Sequence, residues 1–169
     1  ILLGHYQSKD NYLVVVGKQI QIATFIPNES KIRGYIDEIK FKLSEFRKTK
    51  YLLRIRIYNK NIKTQLPFED LLIDDNILSG KQLKHNNTFS LKEKSIELPE
   101  DGVFVSFEWI PQIGVTNEDD DPPILLGNLN ADKNYVYKNY KEIRWFPSNS
   151  KSLSSSGYRV PNISLTIGY

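Results

Sequence analysis

The sequence predicts an all-β fold: a two-sheet antiparallel β-sandwich, jelly-roll-like, with about ten strands and little or no helix. Three observations carry this. Apolar residues recur at every second position in several runs, which puts one face of each run into a core. No window holds an apolar stripe at helical spacing for three turns. Turn-forming residues fall between the runs.

The runs come in order along the chain. Short candidates lie at 12–16 and 19–26. Ile39, Phe41 and Leu43 then alternate with Glu38, Lys40 and Lys42. Leu53, Ile55 and Ile57 alternate with Arg54, Arg56 and Tyr58. Segment 67–73 has Pro67 near its start and acids following, and reads as a single turn or an irregular loop. Further strands are expected at 77–83 and 87–91. The strongest run is Val103, Val105, Phe107 and Trp109, with Phe104, Ser106, Glu108 and Ile110 on the other face. Candidates at 134–138 and 143–146 follow, and Ile163, Leu165 and Ile167 close the series. Pro27–Ser30, Asn59–Asn61, Ser79–Gly80 and Pro99–Gly102 have the chemistry of turns. Residues 116–123 and 147–157 are polar stretches expected to form loops. Residues 1–17 form an N-terminal segment, linker or first strand, and 18–169 a single β-sandwich domain.

Composition narrows the function. The chain has 169 residues, 40% hydrophobic and 25% charged. A domain of this size buries about 70% of its unfolded surface, enough for a core without staples. With no Cys, disulfides, thiolate metal sites and thiol nucleophiles are excluded. The net charge of +3 is too small for a nucleic-acid surface. The basic residues alternate with apolar ones and read as a solvated sheet face. No apolar run approaches the roughly 18 residues of a membrane span. The chain opens on Ile1 and contains no Met, so a processed piece of a longer protein is expected, with any targeting segment upstream.

Chemical motifs are sparse. His5 and His85 have no ligand partner at metal spacing and read as surface histidines. No nucleophile elbow and no phosphate-cradling glycine loop occurs, and no cofactor is expected. Asp119, Asp120 and Asp121 are weak calcium candidates, because clustered carboxylates suit a hard cation, although no calcium-loop spacing is present. Glu108 sits on a core strand between Phe107 and Trp109. A general acid would need a facing carboxylate, which the sequence does not identify; a salt bridge or exposure is the plainer expectation. The better lead is aromatic. Tyr137, Tyr140, Trp145 and Tyr158, with Tyr135 and Phe146 nearby, suit stacking on sugars or anchoring a partner.

Several segments occur in a known order: Ile20–Asn28, Leu53–Tyr58, Leu71–Leu72, Leu98–Ile110 with its Glu108-Trp109 pair, and Asn162–Leu165. Over residues 18–169 this resembles the C-terminal β-sandwich of carboxypeptidase-like regulatory-domain proteins of Bacteroidota. The resemblance implies an exported protein of the periplasm or cell surface, associated with the outer membrane, and no peptidase activity. It supplies no catalytic residue. The expected function is therefore a non-catalytic module of the bacterial cell envelope. It would bind a protein partner as an accessory subunit of an outer-membrane complex, or a glycan. A calcium-dependent lectin or a small glycoside hydrolase is the alternative.

Overall fold

A computed structural model describes residues 1–4, 12–14, 20–44, 50–114, 122–130, 136–139, 144–147 and 158–169, with the backbone alone at 12–14, 128–130, 139, 147 and 158–160. The strands are β1 Leu2–Gly4, β2 Tyr12–Val14, β3 Ile20–Pro27, β4 Tyr35–Lys42, β5 Tyr51–Lys60, β6 Pro67–Asp70 and β7 Asn76–Leu78. They continue with β8 Asn86–Ser90, β9 Gly102–Pro111, β10 Leu125–Asn130, β11 Val136–Asn139, β12 Phe146–Pro147, β13 Tyr158–Pro161 and β14 Ile163–Gly168. Ten of these strands have four or more residues, in line with the number expected from the alternating runs. Among the described residues the only helical element is a 3-10 turn at Lys92–Lys94.

The strands form a two-layer antiparallel sandwich. One layer is the seven-stranded sheet, ordered β12-β11-β3-β9-β5-β6, with β7 also paired to β5. The other contains β1-β14-β4-β8 and the smaller group β13-β10-β2. Those two groups run into one another. Leu43 bridges Leu125, Ser44 N–H donates to the Ile124 carbonyl at 2.7 Å, and Asn162 N–H donates to the Leu126 carbonyl at 2.8 Å. The chain crosses between layers from β3 to β4, from β4 to β5 and from β7 to β8, so strands adjacent in sequence face each other across the core.

The core lies where the inward faces meet. Ile22 and Ile26 of β3, Leu53, Ile55 and Ile57 of β5, and Val103, Val105, Phe107 and Trp109 of β9 face Ile36, Ile39 and Phe41 of β4 and Ile163, Leu165 and Ile167 of β14. Phe41 and Phe107 meet across the layers, centroids 5.0 Å apart and tilted by 57°. This is the favoured offset of two aromatic quadrupoles. The register of β4 shifts against β14 between Thr166 and Ile167, which leaves Asp37 as an extra residue. That bulge lets Ile36 and Ile39, three apart in sequence, both point inward.

Several local expectations change. The strand expected at 77–83 is only Asn76–Leu78, followed by a turn at 80–82. Segment 67–73 opens as a strand, because β6 pairs with the end of β5 and Asn59 anchors it by accepting Glu69 N–H at 2.9 Å. The 59–61 turn moves outward, since β5 runs on to Lys60 and the reversal falls at 61–66. Expected loops at 116–121 and 148–157, and His5, lie outside the described residues.

Gly102 begins β9 at φ +103, opposite Pro27 of β3. A Cβ there would come 2.2 Å from the Ile26 carbonyl oxygen and 2.8 Å from the Asn28 nitrogen. Both the backbone angle and the close strand require glycine. Gly102→Ala is expected to cost at least about 2 kcal/mol of unfolding free energy. Urea denaturation checks this; a loss within about 0.5 kcal/mol would contradict it.

Candidate functional site

The seven-stranded sheet has a second face, turned away from the core, and the chemically richest side chains of the described residues gather there. Strand register sets them in rows. One row is Lys138, Gln21, Glu108 and Arg54, on β11, β3, β9 and β5. The next is Val136, Ala23, Ser106 and Arg56. The third is Phe25, Phe104, Tyr58 and Asp70.

The arginines do not point into bulk water as the alternating pattern suggested. Arg54 contacts Glu108 at 3.3 Å and Asp75 at 3.6 Å. Arg56 binds Asp70, and reaches Asp75 at 2.9 Å. Both arginine side chains are about three-quarters buried, at 25% and 22% exposure. Burial opposes the Arg56 charge, but the hydrogen bond and charge of Asp70, with Asp75 beyond it, outweigh that and hold the guanidinium more firmly protonated than usual. Gln21 joins the rows by donating from Nε2 to Ser106 Oγ at 2.7 Å and to the Tyr58 hydroxyl at 3.1 Å. Such a network suits a buried polar face, because most of its donors meet acceptors; Arg54 Nε is the exception, buried without a hydrogen-bond partner and 3.6 Å from Asp75.

An aromatic cover closes over it. Ala23 and Ser106 are the smallest side chains in the middle row and leave room above the sheet. Trp145 packs into that space with Ala23, Val136, Tyr58 and Phe104 as a second apolar cluster, separate from the main core. Its ring meets Tyr58 edge-on, centroids 5.5 Å apart at 74°. Lys138 Nζ lies 5.0 Å from the Trp145 ring centre, and Lys60 Nζ 4.8 Å from that of Phe25. Cations at this range are attracted to the ring face. Burial lowers the Lys138 ammonium pKa, partly offset by the Glu108 charge. Burial raises the Tyr58 phenol, which the Gln21 hydrogen bond partly offsets.

The aromatic residues singled out from the sequence fare differently. Trp145 is 9% exposed and serves here as the cover of the sheet. Tyr137 is half-buried, packs on the main core and meets Phe146 at 5.9 Å. Tyr158 begins β13, but only its backbone is described, and Tyr135 and Tyr140 lie outside the described residues. So do Asp119, Asp120 and Asp121; among the described residues no group of three or more His, Asp or Glu side chains could hold a metal ion. His85 is exposed, immediately before β8. Glu108 is in a salt bridge and its side chain is only 11% exposed, so it is not presented to a cleft. No described helix is long and apolar enough to cross a membrane.

Sequence reasoning missed a different feature. Ile62 is 78% exposed, Phe68 59% and Ile73 91%, all on the β5–β6 hairpin and the chain leaving it. The signal was present, since segment 67–73 reads as a turn or loop although only Glu69 and Asp70 in it are polar. What hid it is that exposure depends on which strand forms the edge of the sheet.

The buried amine and phenol give opposite dependences on pH. The native chain releases the Lys138 proton at lower pH than the unfolded chain does. Between the lowered native value and the ordinary lysine range, the unfolded state therefore holds more protons, and stability rises with pH. Above the ordinary tyrosine range the raised Tyr58 value works the other way, because the native state keeps its proton longer. Lys138→Met is expected to flatten the alkaline rise in stability below the tyrosine range, read from urea midpoints at successive pH values. An unchanged slope would refute the desolvated environment of Lys138.

Comparison of the chain with protein-family models, with curated proteins and with solved structures finds no match in any of the three.

Proposed function

We propose that this chain is a non-catalytic β-sandwich binding module of an exported, envelope-associated protein, and that it docks a protein partner through the β5–β6 edge. The observation that carries this is the exposure of Ile62, Phe68 and Ile73 within one hairpin and its exit. Large apolar side chains gathered on one rim of a folded domain are the usual material of a contact surface. The placement in the cell envelope is supported by the ordered segments Leu53–Tyr58, Leu98–Ile110 and Asn162–Leu165, which resemble carboxypeptidase-like regulatory-domain proteins. An accessory role in an outer-membrane complex fits a module whose polar sheet face is closed by its own side chains.

A glycan is the competing ligand. Sugar stacking needs an open ring face. Trp145 is buried and Tyr137 half-buried, which gives the protein partner the stronger support. A glycoside hydrolase has less, because Glu108 is bound by Arg54; a calcium-dependent lectin would draw on the acidic run at 118–121, which lies outside the described residues.

The double variant Phe68→Ser, Ile73→Ser tests the docking surface. Both side chains are exposed, so unfolding free energy is expected to stay within about 0.5 kcal/mol of the parent chain. The parent chain is expected to co-purify with a defined complex from detergent-solubilised envelopes, and the double variant to lose it. Full retention by the folded double variant would overturn the proposal, and specific capture on a polysaccharide array would favour the glycan.

A further inference from the structure

The β1-β14-β4-β8 group ends at β8, Asn86–Ser90, which pairs with β4 on one side and with no described strand on the other. Its register runs unbroken from Ser90 opposite Glu38 to Asn86 opposite Lys42, and it contains no proline. Two backbone bonds fix which way its groups turn. Just before the strand, Leu43 N–H donates to the His85 carbonyl at 2.9 Å; just after it, Leu91 N–H donates to the Asp37 carbonyl at 2.7 Å. His85 and Leu91 therefore face β4, and in an unshifted antiparallel ladder so do Asn87 and Phe89. The N–H and C=O groups of Asn86, Thr88 and Ser90 turn the other way. All three residues are exposed, and no described residue bonds to these backbone groups. Such an edge is a template for an added strand.

The charges around the edge select the partner. Lys84 and Lys92 flank β8, two residues beyond its ends, and both are exposed with no ion pair among the described residues. Lys81 adds a cation, Lys94 is engaged by Asp74 at 2.6 Å, and Glu93 is the one acid in residues 81–94. On the outer face Lys40, opposite Thr88, is paired with Glu38 at 3.4 Å. The edge is thus polar and neutral along its middle and positive at both ends. Its inner side is apolar: Phe89 packs on the main core but is only half-buried, so an apolar side chain on a neighbouring strand would cover the rest of its ring. A second copy fits poorly. Pairing β8 with itself about a two-fold axis at Thr88, the register that uses all three outward amides, sets Lys84 of each copy opposite Lys92 of the other.

We infer that the β8 edge takes up an extended strand of an acidic partner polypeptide, bonded through the backbone of Asn86, Thr88 and Ser90, with carboxylates at its ends facing Lys84 and Lys92. The inward side chains of the added strand are apolar and cover Phe89; its outward ones are polar, like Thr88. The two lysines then act twice, barring a like-charged copy and attracting the partner. This goes beyond the β5–β6 docking surface and does not rest on it, since β8 belongs to the other layer.

The test uses the full chain with three end-blocked, fluorescently labelled nonapeptides: Glu-Ser-Thr-Val-Thr-Val-Thr-Ser-Glu, the same peptide with Lys at both ends, and the Glu-ended peptide N-methylated at its threonines. Fluorescence anisotropy reads affinity, and hydrogen exchange followed by NMR reads the amides of Asn86, Thr88 and Ser90. The Glu-ended peptide is expected to bind at least about tenfold more tightly than the other two and to slow exchange at all three amides. Thr88→Pro removes one outward amide at a position where an edge strand tolerates proline, and is expected to weaken binding about tenfold. Lys84→Glu with Lys92→Glu leaves the backbone untouched, and so reads the site even where Thr88→Pro destabilises the sheet; it is expected to reverse the preference in favour of the Lys-ended peptide. Equal affinity for the Glu-ended and Lys-ended peptides would overturn the acidic partner. Unchanged exchange at the three amides would overturn strand addition. Binding lost in the Phe68→Ser, Ile73→Ser variant but kept after charge reversal would place the peptide on the β5–β6 surface, overturning this inference and leaving that surface in place. Binding of none of the peptides would show that the lysines only guard the edge, and self-association abolished by Thr88→Pro would favour a second copy; either result overturns the inference.

Discussion

The rest of the structure depends on β9 being covered on both faces. From Gly102 to Trp109 every residue of that strand is buried, although its sequence alternates in character. Val103, Val105, Phe107 and Trp109 enter the main core. Phe104, Ser106 and Glu108 face the other way and are still buried, at 4%, 0% and 8% exposure. An antiparallel strand in a two-layer sandwich commonly shows one face to water. Here β3 and β5 flank β9 over almost its whole length and carry matching residues on both sides, so the centre of the sheet is enclosed.

Enclosing the outer face sets its electrostatics. Arg54 and Arg56 are held among Glu108, Asp70 and Asp75, and Gln21 satisfies Ser106 and Tyr58. A half-buried ion pair gains more Coulomb attraction than an exposed one, but it costs desolvation of both partners, so these contacts fix geometry more than they add stability. Trp145 completes the arrangement by filling the space above Ala23. The same closure moves the search for function to the rim. Side chains in the middle of the sheet are engaged with each other, whereas β6 has one paired edge and exposes Phe68.

Much of the fold was legible in the sequence, because alternation is local. The runs at 53–58 and 103–110 identify strands and their inward faces, and Trp109 and Phe107 point into the core as their spacing requires. What alternation does not carry is whether anything lies over the opposite face. Arg54 and Arg56 look solvated until Asp70 and Asp75 arrive from a segment that reads as a loop. Trp145 looks like a binding ring until Ala23 and Ser106 leave it a seat on the sheet. Ala23, one of only two alanines in the chain, was the available clue. The edge at β6 was illegible for a related reason: being an edge is a property of strand order, which arises from contacts distant in sequence.

Whether Trp145 truly closes the outer face is the most direct question to put to this account. The chain has two tryptophans, and Trp109 is 1% exposed, so Trp109→Phe leaves Trp145 as the sole reporter. Acrylamide quenching of that variant in its folded state reads the accessibility of the ring. A blue-shifted emission, quenched far less than that of the same variant in urea, is the predicted result. Emission and quenching equal to those of the unfolded chain, from a variant that still unfolds cooperatively, would show an open sheet face and contradict the account.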